Sequence, residues 1–205
     1  MEQKGKLLKV LKKHEGIFAG KRGNCTGKPV QINLTNDAVS FRYRPYQIHL
    51  RIKDQVEKEV YRQCDIGALR QLSAEEVEER EFISPAFAIS KRDGVTMRIV
   101  FDLRKLNSML ERKQTHMSTI EELIQGIGGF EFASVVDLNM GYLSIPLTES
   151  SKNLFTIVFP FGYFECQVLP QGAKPATDFF SQEWLVCLRV CGKTDHIHIW
   201  MIYSS

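Results

Sequence analysis

The sequence lacks any apolar run long enough to cross a membrane. Its apolar stretches are short ones such as Phe155–Phe161, whereas a spanning helix needs roughly 20 apolar residues. The N-terminus carries lysines but not the apolar stretch of a secretory signal. Internal repeats and low-complexity tracts are absent as well. We therefore expect a chain that is neither secreted nor built from repeats, and that has no membrane partner.

Cysteine is scarce, with five residues among 205, odd in number and scattered. A disulfide framework usually shows an even number of cysteines, so the sequence predicts reduced thiols and an intracellular setting. Cys187-x-x-x-Cys191, followed by His196 and His198, resembles a compact zinc cluster. Its spacing is not that of a common zinc finger, and zinc is not expected.

The net charge of +3 is mild but unevenly spread. The N-terminus is basic, an acidic run follows from Glu75 to Glu81, and basic residues return between Lys91 and Lys113. This pattern is compatible with a polyanionic partner, although solvated faces often look the same. The length allows one sizeable domain or two small ones.

Two β-hairpins are predicted in the middle of the chain. The first has the arms Ala86–Ser90 and Met97–Phe101, with an Asp-Gly turn between them. The second has the arms Leu154–Phe159 and Tyr163–Leu169 around a Pro-Phe-Gly turn. Strands of this kind mixed with helices indicate an α/β (α+β) fold.

Besides a short helix that a capping box at Ser118 begins and Gly126 ends, helices are predicted in three places. The lysine-rich N-terminus gives a basic amphipathic helix, and Val56 and Val60 mark a second helix that ends near Gly67. A third runs from Pro175 to about Leu188 with its aromatic residues, Phe179, Phe180 and Trp184, facing inward.

The stretch 131–142 organises the chemistry. Val135 and Val136 end a short strand that leads directly into Asp137, and Gly141 then breaks the apolar pattern. A carboxylate at the end of a buried strand is well placed to hold a cation. The alternative is that Asp137 caps the next turn.

The motifs, taken in order, resemble a reverse transcriptase. They are Ser-Pro-x-Phe from Ser84, Lys-Arg-Asp-Gly from Lys91, Arg-x-x-x-Asp-x-Arg-x-Leu-Asn from Arg98, Val-Asp-Leu-Asn-Met-Gly-Tyr from Val136, Phe-Gly-Tyr-Phe-Glu from Phe161 and Leu-Pro-Gln-Gly from Leu169. The chain is most similar to the polymerase of Gypsy-type LTR retrotransposons, over roughly residues 43–185. Several ordered motifs are a far more specific signal than any one of them. The resemblance implies the fingers and part of the palm of a right-hand polymerase fold, incomplete at the C-terminus.

The resemblance also implies a role for individual residues. Asp137 would be the catalytic aspartate and would bind Mg²⁺ beside the backbone carbonyl of Leu138. The residues that would hold the incoming deoxynucleoside triphosphate (dNTP) are Lys91, Arg98, Met140, Gly141, Tyr142 and Gln171. Tyr142 among them would be the steric gate against ribose. Phe87 and Arg104 would touch the template strand of an RNA/DNA template-primer.

Taken singly, each of these residues has an ordinary alternative. Tyr142 and Phe87 fit a core as aromatic residues, and Lys91 and Arg98 fit a hairpin surface as solvated charges. The order of the motifs favours the functional interpretation. Asp102 is assigned to structure, paired with a nearby arginine.

One motif of the family is missing. Two-metal polymerisation needs several carboxylates, and the family supplies two of them from Tyr-x-Asp-Asp, some 25–30 residues after Leu-Pro-x-Gly. Here residues 198–202 read His-Ile-Trp-Met-Ile. The codons of Trp-Met-Ile, read from their third bases, give GAT-GAT, which encodes Asp-Asp. We therefore expect a frame slip between about residues 184 and 198.

The sequence thus predicts three regions: a basic helix and connector over 1–42, fingers and palm over 43–185, and an atypical tail over 186–205. The predicted function is a truncated reverse transcriptase domain whose parental activity is RNA-directed DNA polymerisation, and which is inactive as this chain. The alternative is a non-enzymatic retroelement remnant that at most binds nucleic acid.

Overall fold

The computed structural model describes residues 2–13, 15–18, 27–92, 96–112, 134–136, 141–180 and 199–201. Its helices are α1 (Glu2–Lys13), α2 (Leu50–Asp65), α3 (Ala74–Glu78), α4 (Arg104–Asn107) and α5 (Glu149–Lys152), with further helical residues at 176–180 and 3₁₀ turns at Glu15–Phe18 and Gly141–Ser144. Its strands are β1 (Phe41–Arg42), β2 (Leu69–Gln71), β3 (Phe82–Ser90), β4 (Met97–Phe101), β5 (Ser134–Val136), β6 (Thr156–Phe159), β7 (Gly162–Cys166) and β8 (Ile199–Met201).

Six strands form one mixed sheet in the order β1-β3-β6-β7-β2, and β4 pairs with β3 outside this order. The first part of β3 pairs in parallel with β1 and β6. Its second part pairs antiparallel with β4, from Ala86 opposite Phe101 to Ser90 opposite Met97. One long strand therefore belongs to the centre of the sheet at one end and to a hairpin at the other.

Both predicted hairpins are present. The arms of the first agree with the prediction, and β3 begins four residues earlier, at Phe82, because those extra residues pair with neighbouring strands. The arms of the second are shorter than predicted, Thr156–Phe159 and Gly162–Cys166. After Cys166 the chain leaves the β6–β7 ladder, and Gln167 donates its backbone N–H to the carbonyl of Ala68 instead.

Helix α2 covers the sheet, and it confirms the predicted helix. Val56 and Val60 lie one turn apart and are both fully buried, as the 3.6-residue period requires. The helix packs against β2 and β4. It ends at Asp65, two residues before Gly67, which adopts the left-handed φ of +68° that favours glycine after a helix.

The core consists of a large apolar cluster, to which α2 and the sheet both contribute, and a smaller one of Leu72, Val77, Ile83 and Val158. Its largest fully buried side chains include Phe155, Phe164, Ile83, Leu106 and Leu110. Phe164 is surrounded by three other rings, those of Tyr61, Phe159 and Phe161, at centroid distances of 5.6 to 6.1 Å. Core residues thus come from before, within and after the motifs, and these segments fold together.

A buried charge lies on β7, on the strand face opposite that of its neighbours Phe164 and Cys166. Glu165 on β7 is buried, and its carboxylate accepts hydrogen bonds from Arg80, Arg70 and Gln167. A buried charge is tolerated when it is paired and hydrogen-bonded. Glu165 therefore acts as a structural anchor between β7, β2 and the chain that precedes β3.

Strand β5 pairs with β8 in a separate parallel pair, with Val135 opposite Trp200. The predicted strand at Val135 and Val136 is confirmed. The predicted region boundaries after residues 42 and 185 stay predictions.

In the part of the chain that the structure describes, no helix has both the length and the hydropathy of a membrane span.

Candidate functional site

The β3–β4 hairpin presents one exposed face. In an antiparallel pair, residues opposite each other share a face, so Phe87 with Val100, and Ile89 with Arg98, lie on the same side. Phe87 is 39% and Ile89 50% exposed, although both are large and apolar. The opposite face, with Ala88 and Ile99, packs against the core. The hairpin therefore exposes apolar and cationic groups together, on the side away from the core.

Tyr46 lies beside this face. Its ring is 40% exposed, and its centroid is 6.4 Å from that of Phe87. Its hydroxyl donates a 2.7 Å hydrogen bond to Asp102 Oδ2. The backbone N–H of Asp102 in turn donates to the carbonyl of Pro85 on β3. Tyr46 is thus fixed by a polar contact at its tip, which leaves two neighbouring aromatic rings at the surface.

Arg104 forms an ion pair with the same carboxylate, that of Asp102. Its Nε donates to Asp102 Oδ1 at 2.9 Å and its Nη2 to Oδ2 at 2.8 Å, while its side chain is 87% exposed. These bonds confirm the predicted structural role of Asp102. The guanidinium of Arg104, followed by the hydroxyl of Tyr46, holds the pKa of Asp102 well below its usual range against the effect of burial. Asp102 is thus ionised at neutral pH and orients Arg104, and the rest of the guanidinium faces solvent.

Lys91 lies where the hairpin turns. Its backbone N–H donates to the carbonyl of Thr96 at 2.8 Å, which closes the loop end. Its charge acts on Glu59 of α2: burial alone would raise the pKa of Glu59, but hydrogen bonds from Arg62 and Gln63 and attraction to Arg62 and Lys91 lower it. Lys91 is exposed at the loop end, and Arg98 is exposed on the face of Phe87. The shared role of Lys91 and Arg98 in nucleotide binding stays a prediction.

Tyr142 lies in the 3₁₀ turn Gly141–Ser144, whose first carbonyl accepts a 2.6 Å hydrogen bond from the Ser144 hydroxyl. The half-buried ring of Tyr142 stacks on Phe180, with centroids 4.5 Å apart and an interplanar angle of 28°. Phe180 is buried, as predicted for the inward face of its helix. Stacking on Phe180 thus fixes the ring of Tyr142, as a steric gate would require. The role of Tyr142 as a steric gate stays a prediction.

Gln171 is exposed in a turn at residues 171–172, where Gly172 has the left-handed φ of +96°. The turn is held from outside by Asn107. The Nδ2 of Asn107 donates to the carbonyl of Gly172 at 2.9 Å, and its Oδ1 accepts from the N–H of Lys174 at 2.8 Å. The position of Gln171 therefore depends on a residue 64 positions earlier in the chain.

The predicted metal ligands Asp137 and Leu138, with the nucleotide residue Met140, lie outside the described residues. Strand β5 ends at Val136, so Asp137 directly follows a strand, as predicted. Among the residues that the structure does describe, no group of three or more histidine, cysteine, aspartate or glutamate side chains could hold a metal ion.

Sequence reasoning missed two contributors to this surface, Tyr46 and Asn107. Tyr46 carries only the weak signal of an aromatic residue that follows Pro45. Asn107 is the last residue of the Arg-x-Leu-Asn motif, and the motif assigns it no role. In both cases the information lies in a contact between distant segments rather than in local sequence.

Together, the mixed sheet, the hairpin that extends β3 and the turn at Gln171 define the fingers and adjoining palm of a right-hand polymerase fold. The comparisons agree. The chain is 22% identical over 166 residues to the enzymatic polyprotein of cauliflower mosaic virus (strain Strasbourg), covering 79% of this chain and 23% of the relative. It is 23% identical over 179 residues to the transposon Tf2-3 polyprotein of Schizosaccharomyces pombe, covering 85% of this chain and 13% of the relative.

Among solved structures, the foamy viral protease-reverse transcriptase in complex with an RNA/DNA hybrid matches with a TM-score of 0.73 at 18% identity, covering 93% of this chain and 25% of that one. No protein-family model matches. The chain has a reverse transcriptase-like fold and is similar to viral and retrotransposon polyproteins, which confirms the predicted resemblance. It spans less than a quarter of the length of these curated relatives. The narrower Gypsy-type assignment stays a prediction.

Proposed function

We propose that this chain carries the template-holding part of an RNA-directed DNA polymerase, and that the exposed hairpin face with Tyr46 is its nucleic-acid surface. The observation that carries the proposal is the exposed pair Tyr46 and Phe87, beside the oriented guanidinium of Arg104. Exposed aromatic rings stack on nucleic-acid bases regardless of sequence. Cations next to them attract the phosphate backbone. The two kinds of contact that a single strand needs are therefore adjacent.

Arg104 suits a phosphate contact for a second reason. Asp102 occupies one edge of its guanidinium and fixes the plane of the group, so less side-chain freedom is lost when a phosphate binds. Arg98 adds a second exposed cation on the hairpin face. The similar foamy viral protein is seen with an RNA/DNA hybrid, which supports a nucleic-acid partner for this fold.

In the proposed active polymerase, the residues that would surround an incoming dNTP are Lys91, Arg98, Met140, Gly141, Tyr142 and Gln171. Asp137 and the carbonyl of Leu138 would hold Mg²⁺, because hard cations prefer carboxylate and carbonyl oxygen. Bound there, the ion would neutralise charge that develops on the phosphates. The position of Asp137 after the end of β5 suits this use.

A non-enzymatic nucleic-acid-binding remnant is the second candidate. It is favoured by one observation in the sequence: residues 186–205 contain no adjacent pair of aspartates. An intracellular setting remains part of both candidates as a prediction.

Binding of a fluorescent single-stranded RNA, followed by anisotropy, tests the stacking surface. Replacing Phe87 by Ala should weaken binding about fivefold or more, since a base–aromatic stack contributes roughly 1–3 kcal/mol. The control is Tyr61→Leu, because Tyr61 of α2 is similarly exposed but packs against Phe161 and Phe164. Equal losses in both variants, or no binding by the unaltered chain at low salt, would overturn the proposed surface.

The charged contacts are tested by the salt dependence of the same binding. Replacing Lys91, Arg98 and Arg104 together by Ala should reduce the slope of log K against log salt by about 2, because each single-strand phosphate contact contributes about 0.7. The control removes the same charge from the exposed α2 residues Arg51, Lys53 and Lys58. An unchanged slope in the hairpin variant would contradict the assignment.

A further inference from the structure

Asn107 is the last residue of the Arg-x-Leu-Asn motif, and neither the resemblance nor the proposed surface gives it a role. Its side chain spans the turn after Gln171. Nδ2 donates to the carbonyl of Gly172 at 2.9 Å, and Oδ1 accepts from the N–H of Lys174 at 2.8 Å. The amide thus holds two backbone groups that lie two residues apart.

The orientation of this amide is fixed by its partners. A backbone carbonyl can only accept a hydrogen bond and a backbone N–H can only donate one. Nδ2 must therefore face Gly172 and Oδ1 must face Lys174, and the reversed amide would lose both bonds. Aspartate offers only acceptors, and leucine offers neither group. Asparagine is the short side chain that satisfies both ends.

The turn needs an external support because its own contacts are weak. Its internal backbone bond, from the Ala173 N–H to the Pro170 carbonyl, is long at 3.2 Å. Gly172 has open space around the position of a Cβ, so packing does not hold it in its left-handed conformation. Gln171 itself is exposed. The two bonds from Asn107 are shorter than the internal bond and lie on either side of Ala173.

Asn107 is itself firmly placed. Its N–H donates to the Leu103 carbonyl at 2.7 Å, and the neighbouring Leu106 is fully buried. Two further links join the same pair of segments: Lys174 Nζ donates to the Leu110 carbonyl at 3.2 Å, and Arg112 Nε donates to Asp178 Oδ2 at 2.7 Å. The chain after β4 therefore serves as a rigid brace for the chain after β7.

We infer that Asn107 is a positioning residue that fixes the Gln171–Gly172 turn for nucleotide binding. The nucleotide part of this inference rests on the proposed function, in which Gln171 faces the incoming dNTP. The brace itself rests only on the two hydrogen bonds. Asn107 touches neither substrate nor metal in this account; it acts through the turn.

Amide hydrogen exchange by NMR tests the brace on the full chain. In Asn107→Ala, exchange at Lys174 should accelerate about tenfold or more, while exchange at fully buried core positions such as Phe164 stays unchanged. In Asn107→Asp, protection at Lys174 should persist because its acceptor remains, whereas the chemical shifts of Gln171 and Gly172 should move. The control is Ser108→Ala, whose hydroxyl bonds only locally to the Lys105 carbonyl. Unchanged exchange at Lys174 in the Ala variant would overturn the inference.

A measurement on the unaltered chain covers the case in which the variants fail to fold. A scalar coupling across the hydrogen bond between Asn107 Nδ2 and the Gly172 carbonyl carbon should be detectable, and its absence from a well-resolved spectrum would refute the brace. For nucleotide binding, titration with Mg²⁺ and dTTP should shift the Gln171 side-chain amide. Asn107→Ala and Asn107→Asp should both weaken that binding about tenfold. No dTTP binding by the unaltered chain would refute the nucleotide role, while the exchange data would still decide the brace.

Discussion

Arg80 and Glu165 form an ion pair in the interior of the protein. The Nη2 of Arg80 lies 2.7 Å from Glu165 Oε1, and the two side chains are only 11% and 4% exposed. The other carboxylate oxygen accepts from Arg70 at 3.2 Å and from Gln167 at 2.7 Å. Both oxygens are therefore satisfied, and the pair joins β7 to the chain that leads into β3.

Breaking this pair should destabilise the fold. Glu165→Gln keeps the size of the side chain but leaves the buried guanidinium of Arg80 without its counter-charge. Removing one partner of a buried pair costs about 3 kcal/mol or more. Urea unfolding followed by circular dichroism measures the loss.

The matched control is Glu149→Gln. Glu149 pairs with Lys152 at the surface, where its side chain is 88% exposed, and such surface pairs contribute little to stability. Equal losses of stability in the two variants would show that Glu165 is not a buried anchor.

Much of the fold could be predicted from the sequence because its signals are local. The alternation around the Asp-Gly turn defined the first hairpin, and the spacing of Val56 and Val60 defined α2. The strand that leads into Asp137 followed from two adjacent valines. Each of these features depends on residues within a few positions of one another.

The site was less predictable because its geometry depends on long-range contacts. Tyr46 and Asp102 are 56 residues apart, and Asn107 and Gly172 are 65 apart. The hydrophobic periodicity within a single helix or strand gives no information about contacts between residues so far apart in the sequence.

Asp102 should make stability depend on pH. The pKa of Asp102 is lowered in the folded chain, mainly by the hydrogen bonds from Arg104. In the unfolded chain the same carboxyl has the usual Asp pKa of about 3.9, so it binds a proton more readily there. Its contribution to stability is therefore present above about pH 4 and is lost as the pH falls further. The difference in unfolding free energy between the unaltered chain and Asp102→Asn should shrink from pH 6 to pH 3.

The control for this titration is Asp54→Asn, at an exposed position of α2. This variant should follow the unaltered chain over the same pH range. A constant gap between the unaltered chain and Asp102→Asn from pH 6 to pH 3 would contradict the role given to Arg104.

Cys166 should resist alkylation while the chain is folded. It is a buried free thiol, and burial raises its pKa strongly, with the charge of Glu165 adding to the effect. Because the thiolate is the reactive form, iodoacetamide at pH 8 should modify the half-buried Cys64 well before Cys166. Peptide mass spectrometry measures both sites, and the two rates should converge in denaturant. Equal rates in the folded chain would contradict this burial.

The purified 205-residue chain should not extend a primer on an RNA template with Mg²⁺ or Mn²⁺. Two-metal transfer needs carboxylates that hold two ions about 3.5–4 Å apart, and Asp137 alone cannot supply that cluster. Restoring the frame ahead of codon 198 should recreate Tyr-[Met/Leu]-Asp-Asp, and the paired variant Asp137→Asn in that background is the control. Extension by the repaired chain, lost again in the control, would assign Asp137 to catalysis. If instead the unaltered chain extends the primer and Asp137→Asn abolishes this extension, the predicted inactivity of the chain is wrong. A site without the Asp-Asp pair would then be sufficient for catalysis.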